Sequence, residues 1–173
     1  NGLTTTVTNA LNQTETKTKN SQGQLVSVSD NLGNVITYQY DPFGNLTKTT
    51  DPKGNQTTLT YDARGRKIGM VDPDMGAWTY TYNVLGELIQ QKDAKLQIVN
   101  MTYDLLGRML SRSEPDLNST WVYDTATKGV GKLKQVSSDN GFLRVYTYDS
   151  LGRVSSETST IDTTYNVAKS YDA

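Results

Sequence analysis

One motif returns along the chain at a fixed interval, and that interval limits what the chain can fold into. Tyr40-Asp41-Pro42-Phe43-Gly44-Asn45 recurs as Tyr61-Asp62-Ala63-Arg64-Gly65-Arg66, as Tyr82-Asn83-Val84-Leu85-Gly86-Glu87 and as Tyr103-Asp104-Leu105-Leu106-Gly107-Arg108, a step of 21 residues each time. A plainer copy lies between them, with Asp30 before Gly33, Asp51 before Gly54 and Asp72 before Gly76. Asp or Asn therefore falls at 9, 20, 30, 41, 51, 62, 72, 83, 93 and 104, in steps that alternate 11 and 10. The structural unit is the half-repeat, and the full repeat is a pair of them.

A step of 21 is also three heptads, but a coiled coil does not fit. Gly recurs in nearly every half-repeat, Pro42, Pro52 and Pro73 sit inside the pattern, and no apolar a/d seam can be drawn. Alternation fits instead: Ile36, Tyr38 and Tyr40 share one face of an extended strand, as do Trp78, Tyr80 and Tyr82. Asp-x-x-Gly is the sequence of a type I turn followed by a left-handed residue, which closes a short hairpin loop with a bulge. The reading is all-β: a meander of short antiparallel strands, with Tyr-Asp turns along one edge and plainer Asp turns along the other. Positive φ is predicted at Gly44, Gly65, Gly86 and Gly107. Asp41 should pair with Asn45, Tyr40 with Leu46, Tyr61 with Lys67, Tyr82 with Leu88, Tyr103 with Met109 and Tyr148 with Val154.

Composition supports strands. Thr occurs 25 times and Tyr 11 times, with 14 Gly and 4 Pro for turns. Disordered chains lack such a supply of aromatic and β-branched residues. Net charge is −1, which argues against a nucleic-acid surface, and no apolar run is long enough to span a bilayer as a helix. With neither Cys nor His, disulfides, thiolate or imidazole metal sites and Ser-His-Asp chemistry are excluded.

The repeat has irregular places. Asn12 stands where Gly is expected, which Asn tolerates. Asp93-Ala94-Lys95-Leu96 has no Gly, and Asp72-Pro73-Asp74-Met75-Gly76 carries one extra residue. Trp121-Val122-Tyr123-Asp124 comes out of phase, before the run Thr125 to Gly131. Residues 1–173 are read as one repeat segment: regular over about 9–114, an irregular insertion over about 115–138, and repeats again over 139–173, including Tyr148-Asp149-Ser150-Leu151-Gly152-Arg153. A chain that opens without Met and stops at Tyr171-Asp172-Ala173, inside a repeat, reads as part of something longer.

Tyr-Asp-x-x-Gly-Arg with a period near 21 resembles the YD repeat of the RHS family. That family includes bacterial Rhs polymorphic toxins, the C component of Tc insecticidal toxin complexes and the teneurin ectodomain. The resemblance implies a sheet that spirals into a hollow shell, enclosing a toxin in the bacterial members. It further implies export to the cell surface or outside the cell, and partners in the rest of a parent chain and an enclosed toxin domain. The family's self-cleaving terminal motif is not matched: Asn45 follows Gly44 and further repeats come after, so no autoprotease role is assigned to Asp41.

The repeat residues Tyr40, Asp41, Gly44, Tyr61, Asp62, Gly65, Tyr82, Asn83, Gly86, Tyr103, Asp104, Gly107, Tyr148, Asp149 and Gly152 are read as structural. Their spacing keeps equivalent carboxylates about 9.5 Å apart, too far to share a cation, and no metal site, cofactor or catalytic group is assigned. Arg66, Arg108 and Arg153 are expected as solvated turn charges. Trp78, Trp121 and Tyr146 lie off the repeat phase and are the candidates for glycan contact, in an alternative reading as a surface adhesion module. Strand edges are expected either to associate with another copy or to be blunted by irregular ends around Thr4–Thr8 and Thr158–Thr164. The main expectation is a non-catalytic wall that neither binds nucleic acid nor inserts into a membrane.

Overall fold

The computed structural model describes residues 3–172, so Ala173 lies outside them. All regular structure among these residues is β. The first of two compact units comprises residues 3–80 with 93–95, and the second residues 81–92 with 96–172. In chain order the first unit holds β1 (Leu3–Thr8), β2 (Thr14–Lys19), β3 (Leu25–Asp30), β4 (Val35–Tyr40), β5 (Leu46–Thr50), β6 (Gln56–Tyr61), β7 (Lys67–Asp72) and most of β8 (Gly76–Tyr82). The second holds β9 (Leu88–Lys92), β10 (Ile98–Tyr103), β11 (Met109–Ser113), β12 (Asn118–Tyr123), β13 (Leu133–Ser138), β14 (Leu143–Tyr148), β15 (Val154–Ile161) and β16 (Thr163–Ala168). Within each unit every strand pairs antiparallel with its neighbours in sequence.

Turn chemistry sets the register. Tyr40 pairs with Leu46, Tyr61 with Lys67, Tyr103 with Met109 and Tyr148 with Val154, each at a bulge. The bulge is the extra residue that Gly44 and its equivalents admit at φ 90°, 74°, 92° and 76° for Gly44, Gly65, Gly86 and Gly107. The turn from Asn83 closes by the same bond, Asn83 N–H to Glu87 C=O at 3.0 Å.

Alternation then sorts the side chains. In the first unit one face carries Val28 opposite Ile36, and Leu59 opposite Met70, which in turn lies opposite Trp78. The other face carries Ser27, Thr37 and Thr50 in a row across three strands. In the second unit Trp121 lies opposite Val136, while Thr102, Ser111, Thr120 and Ser137 run across the other face. Hydroxyls bond across that face, Thr102 with Ser111 at 2.6 Å and Thr120 with Ser137 at 2.9 Å.

Among the described residues no second layer covers the apolar faces, and the buried apolar side chains are Met101 and Ala126, each 7% exposed. The chain exposes 11615 Å², where a compact chain of this mass exposes about 8,400 Å². Cohesion therefore comes from neighbouring strands and their turns, as in other repeat arrays.

Two expectations need correction. The ends are not irregular: Leu3–Thr8 is a strand paired with β2 over its whole length, and Val154–Ile161 pairs with both β14 and β16. Thr-rich sequence suits a strand even without the Asp-x-x-Gly signal. Within 115–138, β12 keeps its place beside β11 and β13, and the irregularity is the long connection from Asp124 to Lys132. The glycine-free turn closes by placing Leu96 in the left-handed region at φ 64°.

Candidate functional site

The Tyr-Asp turns line one edge of each unit, and their carboxylates act locally. Asp41 Oδ1 accepts the N–H groups of Phe43 and Asn45, both at 2.9 Å, and its Oδ2 accepts the Asn45 side-chain amide at 2.8 Å. That amide, followed by the backbone N–H groups, holds the Asp41 carboxyl below the usual range. In the turn from Asp62 an arginine takes the place of the amide: Arg66 Nε donates to Asp62 Oδ2 at 2.6 Å. Arg153 donates in the same way to Asp149 at 2.7 Å.

Successive turns are also joined to one another. The Tyr40 hydroxyl donates to the Leu25 carbonyl at 2.9 Å, Tyr103 to Leu88 at 2.9 Å, and Tyr148 to Leu133 at 2.6 Å. Each acceptor is the first residue of the strand that follows the preceding turn on that edge. Burial raises the Tyr103 and Tyr148 hydroxyls above the usual phenol range, so they remain donors. Arginines run the other way. Arg108 pairs with its own Asp104 at 2.6 Å, reaches Asp124 of the next turn at 2.6 Å, and lies 4.4 Å from the centre of the Tyr123 ring. Arg153 lies 4.4 Å from the Tyr171 ring. These arginines are therefore not free turn charges, because the carboxylate and ring beside each hold it in place.

Glycine serves two needs on this edge. A Cβ on Gly65 would meet Asn45 Oδ1 at 3.3 Å, and one on Gly107 would meet Glu87 Oε1 at 3.2 Å. The residue after one turn glycine thus lies over the next turn glycine. Gly33 and Gly54, on the opposite edge, face open space. This stacking escaped the sequence reading, although the 21-residue step was its visible trace.

The off-phase aromatics are each placed by their own strand. Trp121 and Tyr146 sit mid-strand in the second unit, opposite Val136 and Glu157. Trp78 lies in the first unit, near the start of β8, where its Nε1 donates to the Met75 carbonyl at 3.2 Å. Among the described residues no group of three carboxylates converges in a way that could hold a metal ion.

Residues 20–56 and 44–74 match the RHS Repeat family. Those residues carry RHS repeats. Asp104–Arg108 and Asp149–Arg153, beyond the matched residues, have the same turn geometry. No curated protein matches the sequence. Among solved structures, the chain is similar in fold to the TcdB2-TccC3-Cdc42 crystal structure, with a TM-score of 0.71 and 19% identity over 94% of this chain and 9% of that one. The TcdB2-TccC3 crystal structure gives 0.69 and 19% identity over 90% and 10%. The Photorhabdus luminescens Tc holotoxin pore, with a TccC3 mutation, gives 0.69 and 18% identity over 94% and 9%. The chain thus spans about a tenth of the length of the structures it matches.

Proposed function

We propose that this RHS-repeat chain is a stretch of the non-catalytic wall of a larger toxin-like protein, secreted or displayed at a bacterial surface. The wall would enclose a toxin or effector domain encoded elsewhere in the parent. The observation that carries this reading is the stitching of successive turns in a single layer that has almost no core. Such a sheet gains cohesion by extension, since each added hairpin supplies the partner for the last one. A catalytic or small-ligand scaffold would instead concentrate its order around one site. The fold likeness to TcdB2-TccC3 supports the same reading.

The test is limited proteolysis of the parent protein. Gly65→Val with Gly86→Val forces branched side chains into positive φ, at 74° and 92°, and at Gly65 also against Asn45. The wall reading expects whatever follows the repeats to be protected in the native protein and cleaved in the double variant. Equal cleavage in both proteins refutes it.

A further inference from the structure

The hairpin between β13 and β14 departs from the turn chemistry of its neighbours. In the regular turns an Asp or Asn stands first, and its oxygen accepts the N–H groups that follow. Asn9, Asn20 and Asn83 accept in this way from Leu11, Gln22 and Leu85 at 2.9, 3.0 and 3.0 Å. The side-chain amide of each is held as well, by Gln13, Gln24 and Glu87 in that order. Between β13 and β14 it is Ser138 that stands first, its N–H bonded to the Phe142 carbonyl at 2.8 Å. The asparagine, Asn140, lies directly before Gly141 instead. Its Oδ1 accepts the Phe142 N–H at 3.1 Å, and among the described residues its Nδ2 amide has no acceptor.

We infer that Asn140 deamidates spontaneously through a cyclic imide formed with Gly141, and that conversion loosens this hairpin. The bond from Phe142 closes a ring of atoms that includes the Gly141 nitrogen, which keeps Asn140 Cγ beside that nitrogen. The same N–H faces the oxygen on which negative charge grows as Cγ is attacked. Glycine leaves the attacking nitrogen unshielded, whereas Ala10, Ser21 and Val84 follow the other three asparagines. A Cβ at Gly141 would meet nothing within 4 Å, and Asn140 and Gly141 are both exposed, so solvent and the ring have room. The Gly141 N–H gives up only a 3.2 Å bond to the Ser138 carbonyl. Hydroxide takes that proton, the nitrogen bonds to Asn140 Cγ, and the bond from Cγ to Nδ2 breaks. The departing nitrogen gains a proton from water and leaves as ammonia. Water then opens the imide at either carbonyl, giving aspartate or isoaspartate, and the second lengthens the main chain by one methylene. Either product sets a new carboxylate beside Asp139, which holds the backbone and side-chain amides of Asn118 at 3.1 and 2.7 Å. The other Asn-Gly pair, Asn1-Gly2, lies outside the described residues. The reaction does not depend on the chain enclosing anything, and its failure would leave the protease-protection result untouched.

The test incubates the 173-residue chain in mildly alkaline buffer made with heavy-oxygen water, then digests it with trypsin for mass spectrometry. The fragment Gln135–Arg144 contains a single asparagine. It should gain acid forms that carry solvent oxygen, part of them isoaspartate that an isoaspartyl methyltransferase labels. Asn140 should convert about tenfold or more faster than Asn20 and Asn83, and within about tenfold of a free peptide of sequence 135–144. Asn140→Gln, which would need a larger ring, should stay unconverted at that position with unchanged far-UV circular dichroism. The converted chain should unfold at lower urea than Asn140→Gln incubated beside it. Equal conversion at Asn20 or Asn83, or conversion far slower than in the peptide, overturns the inference. So does acid product without isoaspartate, which means direct hydrolysis, or full conversion that leaves the urea midpoint in place.

Discussion

Alanine placed at three turn glycines separates the cost of backbone conformation from the cost of space. Gly54, Gly76 and Gly107 have nearly the same backbone, at φ 87°, 71° and 76°. Left-handed geometry costs a non-glycine residue about 1–2 kcal/mol. Loss of freedom in the unfolded chain returns roughly 0.4–1 kcal/mol. Gly54 faces open space, so Gly54→Ala should destabilise by about 1 kcal/mol, from conformation alone. At Gly107 the new Cβ would sit 3.2 Å from Glu87 Oε1, and the Glu87 carboxylate also accepts a bond from Asn83 at 2.5 Å. Displacing Glu87 weakens that bond and raises the cost to about 1.5 kcal/mol. At Gly76 the obstacle is the Cβ of Ala94, at 2.5 Å, which cannot rotate away. Overpacking of that kind adds about 1–3 kcal/mol, for a total near 3 kcal/mol. Urea midpoints read by far-UV circular dichroism should fall in the order Gly54→Ala, Gly107→Ala, Gly76→Ala, with similar slopes. Equal shifts in all three would show that φ alone sets the cost and that contact between turns contributes nothing.

Two further outcomes follow from the turns. The carboxyls of Asp41, Asp51, Asp62 and Asp149 are all held below the ordinary value of 3.8 by hydrogen bonds, first from the side chains of Asn45, Asn55, Arg66 and Arg153. Folding is therefore supported above the unfolded value, and that support disappears as pH falls through the lower folded values. The urea midpoint should stay level from about pH 5 to 8 and drop below about pH 4, and a midpoint unchanged down to about pH 2 would contradict this. Tyr148→Phe removes the 2.6 Å bond to the Leu133 carbonyl and should cost about 1 kcal/mol in urea denaturation. Tyr38→Phe, away from the edge, should stay within about 0.5 kcal/mol, and equal costs at the two sites would deny the hydroxyl its role.

Local elements were legible because their causes are local. An Asx-type carboxylate and a left-handed residue three positions later determine a turn within five residues, and alternation does the rest along each strand. The strands β1 and β12 were missed because the sign used to find strands was the turn, and these segments have weaker turns around them. Leu96 was opaque for a related reason. A γ-branched residue is a poor left-handed former, and nothing in its own sequence announces that position.

What the amino-acid sequence determined by itself is the repeat, its turns, and the registers at Tyr40, Tyr61, Tyr103 and Tyr148. Only the tertiary structure decided that Arg108 bridges two turns, that Tyr148 holds the carbonyl of Leu133, and that the two irregular turns close a cleft beside Trp78. The contacts of Arg108 and Tyr148 join residues 15 or 16 apart, and those of the cleft join turns about 20 apart. Periodicity states that equivalent residues recur, but the length and direction of each side chain decide whether one repeat reaches the next.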